Sequence, residues 1–282
     1  MWQLHGERMT EIDNTTIAPL ENKPKRGLTS NALKLIAIIA MTIDHVTWVI
    51  FPGFSHHPIA IVLHILGRIT CPIMCYFVAE GFFYTHDVNK YTARLFIFAA
   101  ISHVPYMLRS QAFVNYGFLA LVPFATGNGF WGHVLDQTSV IWSLAIGLVM
   151  LRVNASQKLK DWQKILLILL LCVPAFPSDW SCIASLVIAT IGTYRGKPLK
   201  QILWSMFYVA IYAIVYILAM DVVYGLVQFG VILSVPLIAL YNGQRGINPK
   251  VNKFMKWAFY IYYPLHLLVI GIVIIVTGQY AA

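Results

Sequence analysis

Charge is what this 282-residue chain has least of: Asp, Glu, Lys and Arg together make 11%, against roughly 25% in a soluble globular domain. Too little polar surface remains to coat a water-soluble particle. A cytosolic enzyme, a secreted scaffold and a disordered segment are excluded on that ground. Cysteine is scarce too, with four in all. Cys71 and Cys75 fall inside an apolar run, so neither a disulfide framework nor a zinc site is indicated, and no metal is expected. Cys172 and Cys182 flank a short connection and read as buried thiols, with a disulfide between them as the alternative. The first ~30 residues carry no apolar core behind a basic start, so they do not read as a signal peptide. No internal repeat and no inverted pair of broken helices is visible.

What is abundant is apolar sequence: 59% hydrophobic residues and a mean hydropathy of +0.71. The expectation is an all-α polytopic membrane protein, with residues 1–30 as a flexible cytoplasmic tail and 31–282 as a transmembrane domain. A spanning helix needs about 20 apolar residues. Nine stretches qualify: 33–51, 58–83, 91–108, 134–153, 165–176, 180–194, 201–220, 222–241 and 257–276. The fifth and sixth are short and also read as one broken hairpin, so the expected count is about nine, within eight to ten. A patch at 113–126 is too interrupted to span and reads as re-entrant or interfacial.

Charge placement gives an independent reading, because cytoplasmic loops collect Lys and Arg. With the N-terminus inside, 18 of the 20 basic residues fall in inner loops or at their edges. Arg109 alone is placed outside, and Arg68 lies within a helix. The topology expected is N-in, C-out, in the cytoplasmic (inner) membrane. Orientation then accounts for the net charge of +9, and no nucleic-acid partner is implied.

Ionisable residues inside spans are costly, so each is a functional candidate. Lys34 and His45 are 11 residues apart, which at 100° per residue returns to about the same face some ~16 Å further along. Lys34 therefore sits at the inner boundary and His45 near mid-bilayer on one stripe. In the next helix, Arg68 and Glu80 repeat this spacing in the opposite direction. Two compensated pairs are expected, Lys34 with Glu80 and Asp44 with Arg68. His266, beside Pro264 in the last span, comes to the same depth. His64 and His103 read as helix–helix hydrogen-bond partners, with a cavity mouth as the alternative for His64. His56 and His57 read as solvated loop residues.

These residues also carry a family resemblance. Asn31-Ala-Leu-Lys34, Met41-Thr-Ile-Asp44-His45, Gly67-Arg68-Ile-Thr-Cys-Pro72, Ala79-Glu80-Gly81 and Tyr91-Thr-Ala-Arg94-Leu95 resemble the TraX family. So do Leu237-Ile-Ala-Leu-Tyr241-Asn-Gly-Gln-Arg245-Gly246 and Phe259-Tyr-Ile-Tyr-Tyr-Pro264-Leu-His266. The namesake of that family acetylates a conjugal pilin at its N-terminus. The family is distantly similar to membrane acyltransferases of the acyltransferase-3 type, whose Arg or Lys, ten residues, then catalytic His is met by Lys34 and His45. The stretch Asp136-Gln-Thr-Ser139 departs from the expected Asn followed by Phe-Thr.

The resemblance implies acyl transfer from cytoplasmic acetyl-CoA to a hydroxyl or amine reached from the membrane or the outer face. His45 is the expected general base, because a neutral imidazole suits proton abstraction near neutral pH. Asp44 would orient it or pair with Arg68, and His266 would support or replace it. Lys34, Arg94 and Arg245, with Glu80 nearby, would form the mouth that receives the CoA phosphates. The acceptor stays open among a pilin-like peptide, a surface glycan, a teichoic acid and a small metabolite. The alternative function is a secondary transporter or channel, with Asp44, His45, Arg68 and His266 as a proton or substrate relay.

Overall fold

Thr29 opens the first helix. Its backbone is extended and its Oγ1 accepts a hydrogen bond from the Ala32 N–H, after which α1 runs Ser30–Ile50. The computed structural model describes residues 26–109, 138–246 and 248–278. After α1 come α2 (Pro58–Gly67), α3 (Thr70–Tyr84), α4 (Val88–Arg109), α5 (Val140–Ala155), α6 (Asp161–Ala175), α7 (Ser181–Thr193) and α8 (Pro198–Ala219). A short α9 (Val222–Val227), a 3-10 turn (Gln228–Leu233) and α10 (Ser234–Ala239) precede α11 (Pro249–Thr277). The described residues form no strand, only the isolated bridges Leu28–Tyr241 and Thr138–Ser178.

Five segments are long and apolar enough to cross a membrane: Ser30–Ile50, Pro58–Tyr84, Pro198–Ala219, Val222–Ala239 and Pro249–Thr277. Helices α5 and α7 are apolar but shorter. Large apolar side chains such as Leu203, Phe207, Ile214 and Leu218 on α8 are exposed. A continuous face of this kind needs a non-aqueous surrounding. The chain is a membrane protein.

Two expected spans are broken, each for a local reason. The 58–83 stretch divides at Arg68 and Ile69, because Pro72 has no N–H for the Arg68 carbonyl and its ring crowds that turn. The 222–241 stretch tightens into the 3-10 turn ahead of Pro236, which likewise leaves the Ile232 carbonyl unbonded in α-helical register. Residues 1–25 of the expected tail, the 113–126 patch, the beginning of the 134–153 span and the Asp136-Gln137 part of the divergent motif lie outside the described residues, while 28–30, expected in the flexible tail, are tied down ahead of and at the start of α1.

Helices α3, α5, α7 and α8 share the largest core, around Cys75, Leu148, Val187, Ile188 and Val209. Small residues let α5 and α7 approach: a Cβ on Gly147 would come within 2.9 Å of the Ser185 Cα. Where no water drives association, such close van der Waals contact supplies the attraction. Helix α11 lies against α1 and α4 and is tied to α1 by Asn31 Nδ2 donating to Asn252 Oδ1 at 2.7 Å. The chain before α1 is held by the linker before α11, with Leu28 N–H on the Leu240 carbonyl and Ser30 N–H on the Gln244 carbonyl. The first and last described helices therefore meet, and what lies between them is the site.

Candidate functional site

A cavity of about 810 Å³ runs along α1 from Asn31 and Lys34 to Trp48 and Val49. That is ~21–27 Å at 1.5 Å per residue, most of the thickness of a bilayer core. Lys34, Asp44, His45, Arg68, Arg94 and Arg245 all line it. Glu80 and His266 are not among its lining residues.

His45 projects from the second half of α1 and is only 7% exposed. Its Nδ1 lies 2.8 Å from His266 Nε2, with the two rings nearly parallel at 4°. His266 Nδ1 lies 2.9 Å from the Tyr262 carbonyl, one turn earlier on α11. A carbonyl can only accept, so His266 Nδ1 bears the proton and its Nε2 is a lone pair. His45 Nδ1–H must then donate to that lone pair, which leaves His45 Nε2 unprotonated. The relay thus fixes the His45 tautomer and exposes its basic nitrogen. One turn back, Tyr262 donates its hydroxyl to Thr42 Oγ1 at 2.6 Å, while Thr42 donates to the Ile38 carbonyl.

Of the two roles expected of Asp44, the structure shows the pairing with Arg68 and not the orienting of His45. Consecutive helical residues diverge by about 100°, and Asp44 turns toward α2. There its Oδ1 accepts from His64 Nδ1 at 2.8 Å and faces Arg68 at 3.6 Å. The expected Asp44–Arg68 pair is thus present, and His64 finds a helix–helix partner. Gly67 makes the approach possible, since a Cβ there would fall 2.4 Å from the Asp44 Cβ. The orienting partner of His45 is His266.

The Lys34–Glu80 pair is also corrected. Glu80 forms a bidentate pair with Arg195, at 3.0 and 3.2 Å. A planar guanidinium matches a carboxylate in a way an ammonium does not. The extra hydrogen bond holds the Arg195 guanidinium even more firmly protonated than usual. Lys34 instead lies over the Phe77 ring at 5.2 Å and borders the cavity beside Arg245. With Glu80 withdrawn, Lys34, Arg94 and Arg245 leave this mouth cationic.

Sequence reasoning missed two charged residues. Arg109, expected in an outer loop, lines the cavity and lies over the Tyr106 ring at 5.1 Å. Its being the one basic residue out of pattern was the available signal. Asp179 also lines the cavity. It lies between apolar stretches rather than in one, so a search of spans alone passes over it. The next two residues, Trp180 and Ser181, have φ of 65° and 49°, a left-handed conformation that costs about 1–2 kcal/mol per residue with a Cβ. Trp180 lies over Arg68 at 5.6 Å and stacks on Tyr212.

At the far end, His56 and His57 are not merely solvated. His56 Nε2 pairs with Asp221 at 2.9 Å, and His57 Nδ1 accepts from the Ile59 N–H at the start of α2. Tyr224 donates its hydroxyl to the Ser55 carbonyl at 3.1 Å. The loop so fixed carries Phe54, which lines the cavity. His103 shares a hydrogen bond with Thr138 Oγ1 at 3.1 Å, the structural role expected of it.

Residues 29–274 match the profile of the family described as TraX protein. A protein of Dichelobacter nodosus, "Probable fimbrial assembly protein FimC, serogroup H1", is 31% identical over 83% of this chain and 91% of its own length. "Uncharacterized protein RP591" of Rickettsia prowazekii (strain Madrid E) is 32% identical over 26% of this chain and 25% of its own. No solved structure matches the chain significantly.

Proposed function

The chain belongs to the TraX family, and from that premise we propose that it is a multi-pass acyltransferase of the cytoplasmic membrane, moving an acetyl group from acetyl-CoA to a hydroxyl or amine. The observation that carries this reading is one cavity with three cations at one end and an imidazole of fixed tautomer about three turns further along α1. Lys34, Arg94 and Arg245 suit the phosphates of the donor. The thioester then reaches toward His45. The acceptor enters from the Trp48 end, and its oxygen or nitrogen attacks the thioester carbonyl while His45 Nε2 takes its proton. The new bond to the acceptor forms, the C–S bond breaks, and the proton passes from His45 to the departing sulfur. His266 steadies the transient imidazolium by accepting from its Nδ1–H, and the Tyr262 carbonyl steadies His266 in turn.

Nine crossings with the N-terminus inside are part of the reading. In support, Glu80 with Arg195, Asn89 with Arg152 and Asn31 with Asn252 share the Lys34 end, where basic residues gather. The fimbrial-assembly relative favours a pilin-like peptide over a glycan, a teichoic acid or a small metabolite as acceptor. The test is radiolabelled acetyl transfer from acetyl-CoA to endogenous acceptors in membranes carrying the full chain. Acetyl-CoA that neither binds nor is consumed would end the acyltransferase reading.

A further inference from the structure

Asp44 and Asp179 both face the cavity, but they are not equally occupied. Asp44 is met by Arg68 and His64. Among the described residues, no side chain donates a hydrogen bond to the Asp179 carboxylate, whose charged neighbours are Arg109, Arg68 and Asp44. Nor does it cap the helix it precedes. Helix α7 starts without a side-chain cap, and its first amides bond instead to backbone, Ser181 N–H to the Ser178 carbonyl and Ile183 N–H to that of Trp180.

The loop is nevertheless held firmly. The Asp179 N–H donates to the Thr138 carbonyl at 2.8 Å, the Thr138 N–H donates to the Pro177 carbonyl, and Ser178 Oγ donates to the Ala175 carbonyl at 2.6 Å. Two consecutive left-handed residues follow. Strain in the two residues after a carboxylate that does no capping marks a turn held for another reason. His45, Arg109 and Asp179 all line the one cavity.

We propose that Asp179 binds the acceptor, its carboxylate accepting a hydrogen bond from the nucleophilic O–H or N–H and holding that group toward His45. The assignment rests on the acyltransferase reading and adds to it the residue that selects what attacks. The donor mouth lies at the other end, so Asp179 has no part in holding acetyl-CoA.

The test uses Asp179→Asn, which keeps the shape of the side chain, beside Asp179→Ala, in membranes carrying the full chain. Radiolabelled acetyl-CoA and endogenous acceptors are the probes. Transfer should fall about 10- to 100-fold in Asp179→Ala, the worth of a hydrogen bond to a charged group, and less in Asp179→Asn. The apparent KM for acetyl-CoA should stay within about twofold, as should the thermal stabilisation that acetyl-CoA confers. Transfer within about twofold of wild type in both variants would overturn the assignment. So would a raised donor KM, or loss of the folded protein in both, since either gives Asp179 a different role. Wild-type protein indifferent to acetyl-CoA would instead remove the acyltransferase reading itself, and this inference with it.

Discussion

His45 Nδ1 and His266 Nε2 lie 2.8 Å apart although 221 residues separate them in the chain. The contact joins α1 to α11 and decides which nitrogen of His45 is basic. A packing histidine would tolerate a hydrogen-bonding replacement. A general base would not.

His45→Gln and His45→Ala should therefore fold and bind acetyl-CoA, yet lose acetyl transfer by about 10²–10⁴-fold, the usual worth of base catalysis. His266→Gln, which keeps an acceptor for the His45 N–H, should lose less than His266→Phe, which keeps none. Initial rates with radiolabelled acetyl-CoA decide this. Near-wild-type transfer by His45→Ala would refute the base.

The Asp44–Arg68 pair predicts non-additivity. Asp44→Asn or Arg68→Gln alone leaves a buried charge without its partner, a loss of about 3–5 kcal/mol, and should lower the yield of folded protein. The double variant should recover part of it. Gly67→Ala should resemble Asp44→Asn, because its methyl would take the space of the Asp44 side chain. Additive losses, read from detergent-resistant folded fractions, would mean that the two charges act separately.

The three cations predict a split between kinetic constants. Arg94→Ala and Arg245→Ala should raise KM for acetyl-CoA far more than they lower kcat, since phosphate contacts hold equally before and during reaction. Glu80→Gln is the contrasting variant. Its partner is Arg195 rather than Lys34, so donor KM should not move, and the partly exposed pair should cost at most about 1 kcal/mol.

The far loop predicts a pH response. Burial alone would raise the Asp221 carboxyl, but hydrogen bonds from the Tyr224 N–H and His56 outweigh it and hold the group below the ordinary range. A depressed folded value stabilises the structure above the unfolded value, near 4, and that contribution is lost as pH falls through the folded value. Amide exchange of residues 51–57 should stay slow at pH 6 and quicken only well into acid. Asp221→Asn should abolish the change, and an unaltered profile would detach the loop from this pair.

Much of this was legible in the sequence, and the failures share a cause. Helical rotation put Lys34 and His45 on one stripe, and both line the cavity. Depth matching found Asp44 with Arg68. Depth matching also put Glu80 beside Lys34, but it does not register the inner-loop Arg195, whose guanidinium takes the carboxylate at two points. The sequence left Asp44 to orient His45 or to pair with Arg68, and the rotation of about 100° between helical neighbours turns it to Arg68. The broken second span was written in Pro72, yet hydropathy does not register a missing N–H. Asp179 went unseen because it lies in the connection between two apolar stretches, and the fold brings that connection to the cavity.

The meeting of α1 and α11 has a consequence for synthesis. Asp44, His64 and Arg68 lie within the first helical hairpin, so their charges can be matched as soon as that hairpin leaves the ribosome and enters the bilayer. His45 gains His266 only when the final helix is laid in. A nascent chain therefore carries its ion pair safely through the membrane while its basic nitrogen remains undefined. A chain ending before Pro249 would insert with its charges paired and still have no assembled base.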